Sequence, residues 1–174
     1  MSDVAVSLYP FEDGGSIPNH PQWPMIVYQG AFASTTGDRA ATIESAFHSN
    51  GWTQSWRNGI YAFPHFHSNA HEVLGIARGS ARVLFGGSAG DVFDIGTGDV
   101  ALLPAGTGHE NLAASADLLV IGAYPPGCSD WDLCRGDALD GSAIRETIAA
   151  VPKPSSDPVH GNSGPVHDHW VQFP

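Results

Sequence analysis

Hydrophobic and polar positions alternate over short stretches through much of the chain, which is the pattern of half-buried β-strands. Two strands are predicted at residues 4–11 and 25–32, on either side of a proline-rich segment. Beyond Trp52, apolar runs alternate with glycine turns and predict further strands at residues 72–77, 80–85, 91–95, 99–103 and 117–124. Many short strands joined by glycine turns are typical of a sandwich or barrel, so we expect an all-β fold.

Two stretches have a helical pattern instead. Residues 38–50 place Ile43 and Phe47 four positions apart on one helical face, and a glycine follows the stretch. Residues 139–151 form the second predicted helix. We therefore expect one short helix before the main group of strands and one after it.

The C-terminal tail, residues 152–174, is rich in Pro, Gly and Ser and is expected to be irregular. Its His167 and His169 have the spacing of metal ligands, but a flexible tail lacks the preorganised geometry that tight binding requires. We see no internal repeat, so residues 1–174 are interpreted as one domain.

Charge limits the classes of partner. The net charge is -11, with seven Lys and Arg in total, so a nucleic acid or an anionic membrane surface is not expected as a partner. No stretch has the ~20 apolar residues that cross a bilayer. The N-terminus has no signal-peptide pattern, and Cys128 and Cys134 match no common zinc or redox spacing. We expect a cytoplasmic protein whose partner is a small molecule.

Candidate chemistry is concentrated between Gly59 and Gly79. His65, His67, His71 and Glu72 lie within eight positions. Imidazole and carboxylate together form a ligand set for a divalent transition metal. On an extended segment His65 and His67 point to the same side, whereas His71 points away from Glu72. For His71 we favour exposure or a hydrogen bond behind the ligands over the alternative of a proton shuttle at the mouth of the barrel.

Aromatic residues precede this cluster. Tyr61 and Phe63 share the parity of the two histidines, so they are candidates to line a substrate pocket, with plain core packing as the alternative.

The segment Gly98–His109 contains a further candidate ligand. A strand beginning at Gly98 is expected to end at Pro104, and a glycine turn then leads to His109 at the start of the next strand. In a closed barrel His109 can lie beside the first cluster. Asn111 has the parity of His109 and is a third candidate pocket residue.

Both segments resemble the two motifs of the cupin superfamily. The first motif, G-x5-H-x-H-x4-E-x6-G, is matched throughout residues 59–79, by Gly59, His65, His67, Glu72 and Gly79. The second, G-x5-P-x-G-x2-H-x3-N, is matched in residues 98–113 except at its end, where Ala113 replaces Asn. The chain resembles stand-alone, single-domain bacterial cupins in particular.

The resemblance implies a single cupin barrel, a double-stranded β-helix of jelly-roll type, that pairs as a homodimer. It also implies one divalent transition metal (Fe, Mn, Ni, Zn, Cu or Co) held by His65, His67, Glu72 and His109. The implied function is that of a mononuclear metalloenzyme acting on a small molecule by oxygenase or isomerase chemistry. The alternative is a protein that binds or senses a small molecule through the metal without transforming it.

Overall fold

The computed structural model describes residues 4–136 and 141–172 of the chain. Strands make up most of its regular structure, and the helices are short. The strands are β1 (Ala5–Tyr9), β2 (Met25–Gln29), β3 (Thr53–Asn58), β4 (Glu72–Arg78), β5 (Ser80–Phe85), β6 (Asp91–Gly96), β7 (Val100–Leu103), β8 (His109–Ala114) and β9 (Leu119–Tyr124). The helices are α1 (Arg39–Ser49), α2 (Gly141–Ala150) and α3 (Pro165–His169).

Two antiparallel sheets face each other as a sandwich. One has the strand order β1-β2-β7-β4-β9-β3, and the other has the order β6-β5-β8. The expected all-β, jelly-roll-like cupin fold is confirmed. Within the described ranges the strand pairing does not run on continuously from one sheet into the other, so the architecture is a sandwich rather than a closed barrel.

Strand β4 lies inside the larger sheet and is buried on both faces. Leu74 contributes to the core between the two sheets, and Val73 contributes to the core under helix α1. Gly75 lets the helix approach closely, since a Cβ at this position would lie 2.6 Å from Cγ2 of Ile43. Because side chains alternate along a strand, Glu72 has the parity of Leu74 and faces the space between the sheets.

The predicted strands and the first helix are present, with ends that shift by up to three residues, and one further strand is found. Strand β2 ends at Gln29 rather than at residue 32, because Gly30 turns the chain with a φ of 64°. Strand β3 was not predicted from the sequence. Its residues, TQSWRN, are mostly polar and lie at the edge of the larger sheet, so they lack the apolar alternation of a half-buried strand.

The C-terminal part is more ordered than its composition suggests. The second predicted helix corresponds to α2, although its expected first residues, 139 and 140, lie outside the described residues. The expectation of an entirely irregular tail is wrong, because α3 forms there and Trp170 is fully buried. The Trp170 indole donates to the Pro24 carbonyl over 3.0 Å and stacks on Trp23. These contacts fasten the tail to the sandwich.

In the described ranges, no helix combines the length and apolar character needed to cross a bilayer.

Candidate metal centre

Backbone hydrogen bonds join the two motifs. The His65 N–H donates to the His109 carbonyl over 3.2 Å, and the His109 N–H donates back over 2.9 Å. Gly106 adds a bond from its N–H to the His67 carbonyl at 2.8 Å, and its φ of 87° is a conformation that glycine adopts without strain. His109 is the first residue of β8, as predicted. His65 lies on a short bridging segment rather than in a regular strand.

Three of the four predicted ligands form a compact, buried group. Nε2 of His67 lies 3.3 Å from Oε2 of Glu72, and Nε2 of His109 lies 3.4 Å from the same oxygen. Ligand atoms of these three residues all lie within 4.8 Å of one another. Two imidazole nitrogens and a carboxylate oxygen at this spacing form a candidate site for a divalent metal.

Backbone carbonyls fix the tautomer of each motif histidine. A carbonyl oxygen only accepts hydrogen bonds, so a ring nitrogen bonded to it carries the hydrogen. In each ring this nitrogen is Nδ1, and Nε2 is left as the lone-pair donor to a metal. The pairs are His65 with Phe63 at 2.9 Å, His109 with Thr107 at 3.1 Å, and His67 with Asp132.

The Glu72 carboxylate has one satisfied oxygen and one that has no hydrogen-bond partner. Oε1 accepts a hydrogen bond of 2.9 Å from the Tyr124 hydroxyl. Oε2 is buried, and no described group donates a hydrogen bond to it. A buried carboxylate oxygen without a partner is costly, and here it faces two imidazole nitrogens. A cation bound among these three atoms satisfies all of them, so the residues fit a metal ion.

The pKa values of the candidate ligands are shifted by the same burial and the same close contacts. Burial by itself raises the pKa of Glu72, but the imidazoles of His67 and His109 outweigh it and hold this pKa well below its usual range. Burial tends to lower the pKa of His67, but the Glu72 carboxylate raises it overall. Burial, with the neighbouring His109, lowers the pKa of His65 to about 3. The pocket thus favours a negative Glu72 with positive charge beside it, supplied by a proton or by a metal.

His65 is close to the compact group without being part of it. Its ring centroid lies 3.9 Å from that of His109 and 6.2 Å from that of His67. His65 also lines the cavity that opens onto the three residues. Its role as a fourth ligand therefore remains a prediction.

His71 points away from Glu72, as its position in the sequence predicts, but the exposure considered for it is wrong. Its side chain is fully buried beside Trp23 and Trp170. Nδ1 accepts a hydrogen bond from the Ala105 N–H at 2.9 Å, and Nε2 lies 3.0 Å from the Pro152 carbonyl. His71 is therefore part of the core behind the site.

A cavity of about 230 Å³ leads to the candidate ligands. Of the three predicted pocket residues, Tyr61 lines it, whereas Phe63 and Asn111 are not among its lining residues. Phe63 supports Tyr61 by stacking, with ring centroids 4.8 Å apart. Asn111 contributes its backbone N–H, which donates to the Tyr61 carbonyl at 2.9 Å.

Three residues around the site were not predicted from the sequence. Tyr124 bonds to Glu72, Trp131 lines the cavity, and Asp132 bonds to His67 through its carbonyl. Tyr124 belongs to a predicted strand, but its proximity to Glu72 depends on the register that pairs β4 with β9. Trp131 and Asp132 lie on a loop without a recognisable motif, so the sequence offered no signal for them.

The fold and the site together define a cupin: two facing antiparallel sheets enclose two imidazoles and a carboxylate that come from two glycine-containing motifs. A scan against models of known protein families found no match. Over 164 residues the chain is 37% identical to a Bacillus subtilis protein named "Uncharacterized protein YjlB", and the match covers 94% of this chain and 96% of the relative. The chain belongs to the family of this YjlB protein.

Solved structures with a similar fold are distant. The 11S globulin procruciferin from Brassica napus is 18% identical with a TM-score of 0.36, over 63% of this chain and 22% of that one. Acireductone dioxygenase from Bacillus anthracis, solved with a cadmium ion in its active centre, is 17% identical with a TM-score of 0.36, over 53% and 61%. Oxalate decarboxylase from Bacillus subtilis, which has Mn(II) centres, is 25% identical with a TM-score of 0.32, over 42% and 20%. The chain thus spans about a fifth of the globulin and decarboxylase chains.

Proposed function

We propose that this protein is a mononuclear metalloenzyme that acts on a small molecule. His67, Glu72 and His109 hold a divalent transition metal, with His65 as the fourth ligand. The observation that carries this proposal is the buried Oε2 of Glu72, which has no hydrogen-bond partner and faces two Nε2 atoms at 3.3 and 3.4 Å. Fe, Mn, Ni, Zn, Cu and Co all accept this kind of ligand set.

A metal with open coordination positions supplies Lewis-acid or redox chemistry. The residues of the chain hold and orient the groups around it. Tyr124 fixes one oxygen of Glu72 by its hydrogen bond, and the Trp56 indole in turn donates to the Tyr124 hydroxyl over 3.0 Å. The backbone carbonyls fix the imidazoles, so the ligand set is preorganised. The cavity gives a small substrate access to this set.

The cavity favours oxygen chemistry over isomerisation. An isomerase needs a base beside the substrate to move a proton from carbon. Among the described residues that line the cavity, the imidazoles and the carboxylate all belong to the candidate ligand set. Of the remaining lining residues, Tyr61 has an exposed hydroxyl, and a phenol group acts as a proton donor rather than as a base. We therefore propose an oxygenase in preference to an isomerase.

Oxygen uptake by the metal-loaded protein tests this function. The protein is loaded separately with Fe(II), Mn(II), Ni(II), Cu(II), Co(II) and Zn(II) and offered a panel of small metabolites. Oxygen consumption with a matching substrate product, abolished by His67→Ala, is the expected result. A metabolite that raises Tm only in the metal-loaded protein, without uptake or chemical change, would establish binding or sensing instead.

We also propose that residues 1–174 act as one domain, in the cytoplasm and as a homodimer. Val6 and Leu8 support pairing, because both are exposed on β1 at the edge of the larger sheet. The buried free thiols of Cys128 and Cys134 suit a reducing compartment. Sedimentation equilibrium with Leu8→Glu as the variant tests the dimer: the wild type is expected at twice the chain mass and the variant at the chain mass.

A further inference from the structure

We infer that the cavity binds a flat, largely apolar ring that carries one anionic oxygen group, with that group directed at the metal. This inference rests on the proposed function, because the metal is the partner of the oxygen group. It specifies the class of substrate, which the ligand set alone does not.

Two aromatic side chains stand at the cavity with much of their surface exposed. Tyr61 is 54% exposed and Trp131 is 41% exposed, and both line the cavity. Tyr61 lies beside His65 with ring centroids 5.4 Å apart, and Trp131 lies beside His67 at 5.3 Å. Exposed aromatic surface next to a concave site is typical of a binding surface.

Tyr61 and Trp131 are each held in place by stacking on another aromatic ring. Tyr61 stacks on Phe63 at 4.8 Å with an interplanar angle of 15°, and Trp131 stacks on Tyr124 at 5.4 Å with an angle of 16°. The Arg135 guanidinium supports the first pair, since it lies 3.8 Å from the centre of the Phe63 ring. Rings fixed before binding lose little conformational entropy on contact with a ligand, so they favour another flat apolar surface.

The charges around the cavity limit the substrate to one anionic group. Arg57 is the one Lys or Arg among the described lining residues. Its guanidinium is already paired with Glu44, at 2.6 Å between Nη2 and Oε2. Among the described lining residues, a second carboxylate on the ligand would therefore find no unpaired cation, whereas the first would be bound by the metal.

The size of the cavity fits a single ring. Its volume of about 230 Å³ is below the ~300–1,000 Å³ of pockets that hold drug-sized ligands, so it suits a ligand of one ring. Leu74 and Ile60 add aliphatic surface to the same cavity, which suits the unsubstituted edge of such a ring.

Three carboxylates with the same donor group test the inference: benzoate, cyclohexanecarboxylate and acetate. Their dissociation constants are measured by calorimetry on protein loaded with Zn(II), which avoids redox turnover. Benzoate is expected to bind at least about tenfold tighter than acetate and more tightly than cyclohexanecarboxylate. In Trp131→Ala the advantage of benzoate over acetate should fall about two- to tenfold, the usual strength of an aromatic pair. Leu133→Ala is the matched control, because Leu133 is a similarly exposed residue of the same loop that does not line the cavity.

Equal affinity for benzoate and acetate, tighter binding of cyclohexanecarboxylate, or the same benzoate affinity in the two variants would overturn the inference. Zinc stoichiometry, measured on the same samples by elemental analysis, separates this failure from failure of the proposed function. If zinc is bound but benzoate is not preferred over the other two carboxylates, the substrate class alone is refuted. Absence of bound zinc and of every other transition metal refutes the proposed function, and the inference with it.

Discussion

The Tyr124 hydroxyl donates to Oε1 of Glu72 over 2.9 Å, and this bond leaves Oε2 as the carboxylate oxygen that faces His67 and His109. The two oxygens of one buried carboxylate thus have different tasks. One anchors the side chain in the wall of the cavity, and the other is presented to the site. Burial, and next the negative charge of Glu72, raise the pKa of Tyr124, so its hydroxyl keeps the hydrogen that it donates.

Tyr124→Phe should weaken metal binding while preserving the fold. The substitution removes the donor to Oε1 and lets the carboxylate rotate away from its ligating position. Loss of a partner that orients a ligand typically lowers metal affinity by about 10–100-fold. A competition titration with a coloured chelator measures the Kd. Tyr61→Phe removes a hydroxyl from the same cavity without contact to Glu72, and it should retain the wild-type Kd. Equal Kd values for the two variants would contradict the role given to Tyr124.

Asp132 should matter for the site although it lies outside both motifs. Its carbonyl accepts from Nδ1 of His67, and its carboxylate accepts from the Ser68 N–H at 2.7 Å and from the Ser68 hydroxyl. Asp132→Ala frees Ser68 and loosens the loop that orients His67, so we expect metal affinity to fall severalfold. Asp130→Ala, an exposed change two residues earlier, is the control. Equal affinities in the two variants would show that the loop does not position His67.

The two histidines of the first motif should contribute unequally to metal affinity. His67 belongs to the compact group, whereas His65 lies beside it. His67→Gln should therefore reduce metal affinity by more than about 100-fold, and His65→Gln by about tenfold. Isothermal titration with Zn(II) compares them directly. An unchanged affinity in His65→Gln would remove His65 from the ligand set, and a larger loss than in His67→Gln would contradict the geometry.

Acid should destabilise the protein through His20, away from the metal site. Nδ1 of His20 accepts from the backbone N–H of Trp23 at 2.9 Å, and burial lowers the pKa of His20 to about 4. An unfolded histidine titrates near 6.5, so the unfolded chain binds the extra proton as pH falls. The free energy of unfolding should decrease from pH 6.5 to pH 4, with His20 contributing up to about 1.4 kcal/mol per pH unit.

Urea titrations across this pH range measure that slope. His20→Asn keeps a side-chain acceptor for the backbone N–H groups but removes the titrating ring, so its slope should be smaller than that of the wild type. His48→Asn, on the exposed surface of helix α1, is the control for the loss of an imidazole. A slope in His20→Asn identical to the wild-type slope would refute the assignment.

Much of the fold was predictable because its signals are local. The alternation of apolar residues marked the central strands, and the motif glycines placed the turns around His67 and His109. Strand β3 was missed because an edge strand has no apolar face, and Trp170 was missed because a short proline-rich tail gives no sign of a buried anchor. The bond between Tyr124 and Glu72 depends on strand register, and the support of His67 by Asp132 depends on the path of a loop. Both are properties of the folded chain rather than of a sequence pattern.

Metal content is the most direct test of the proposed metal site. Wild-type protein and Glu72→Gln are expressed in the same medium without added chelator, and their transition metals are quantified by elemental analysis. Glutamine keeps the size of the side chain but removes the negative charge that faces the two imidazoles. About one metal ion is expected per wild-type chain, with a large loss in Glu72→Gln. Wild-type protein that carries no transition metal and takes up none on addition, or a Glu72→Gln variant that retains the full amount, would contradict the proposed metal site.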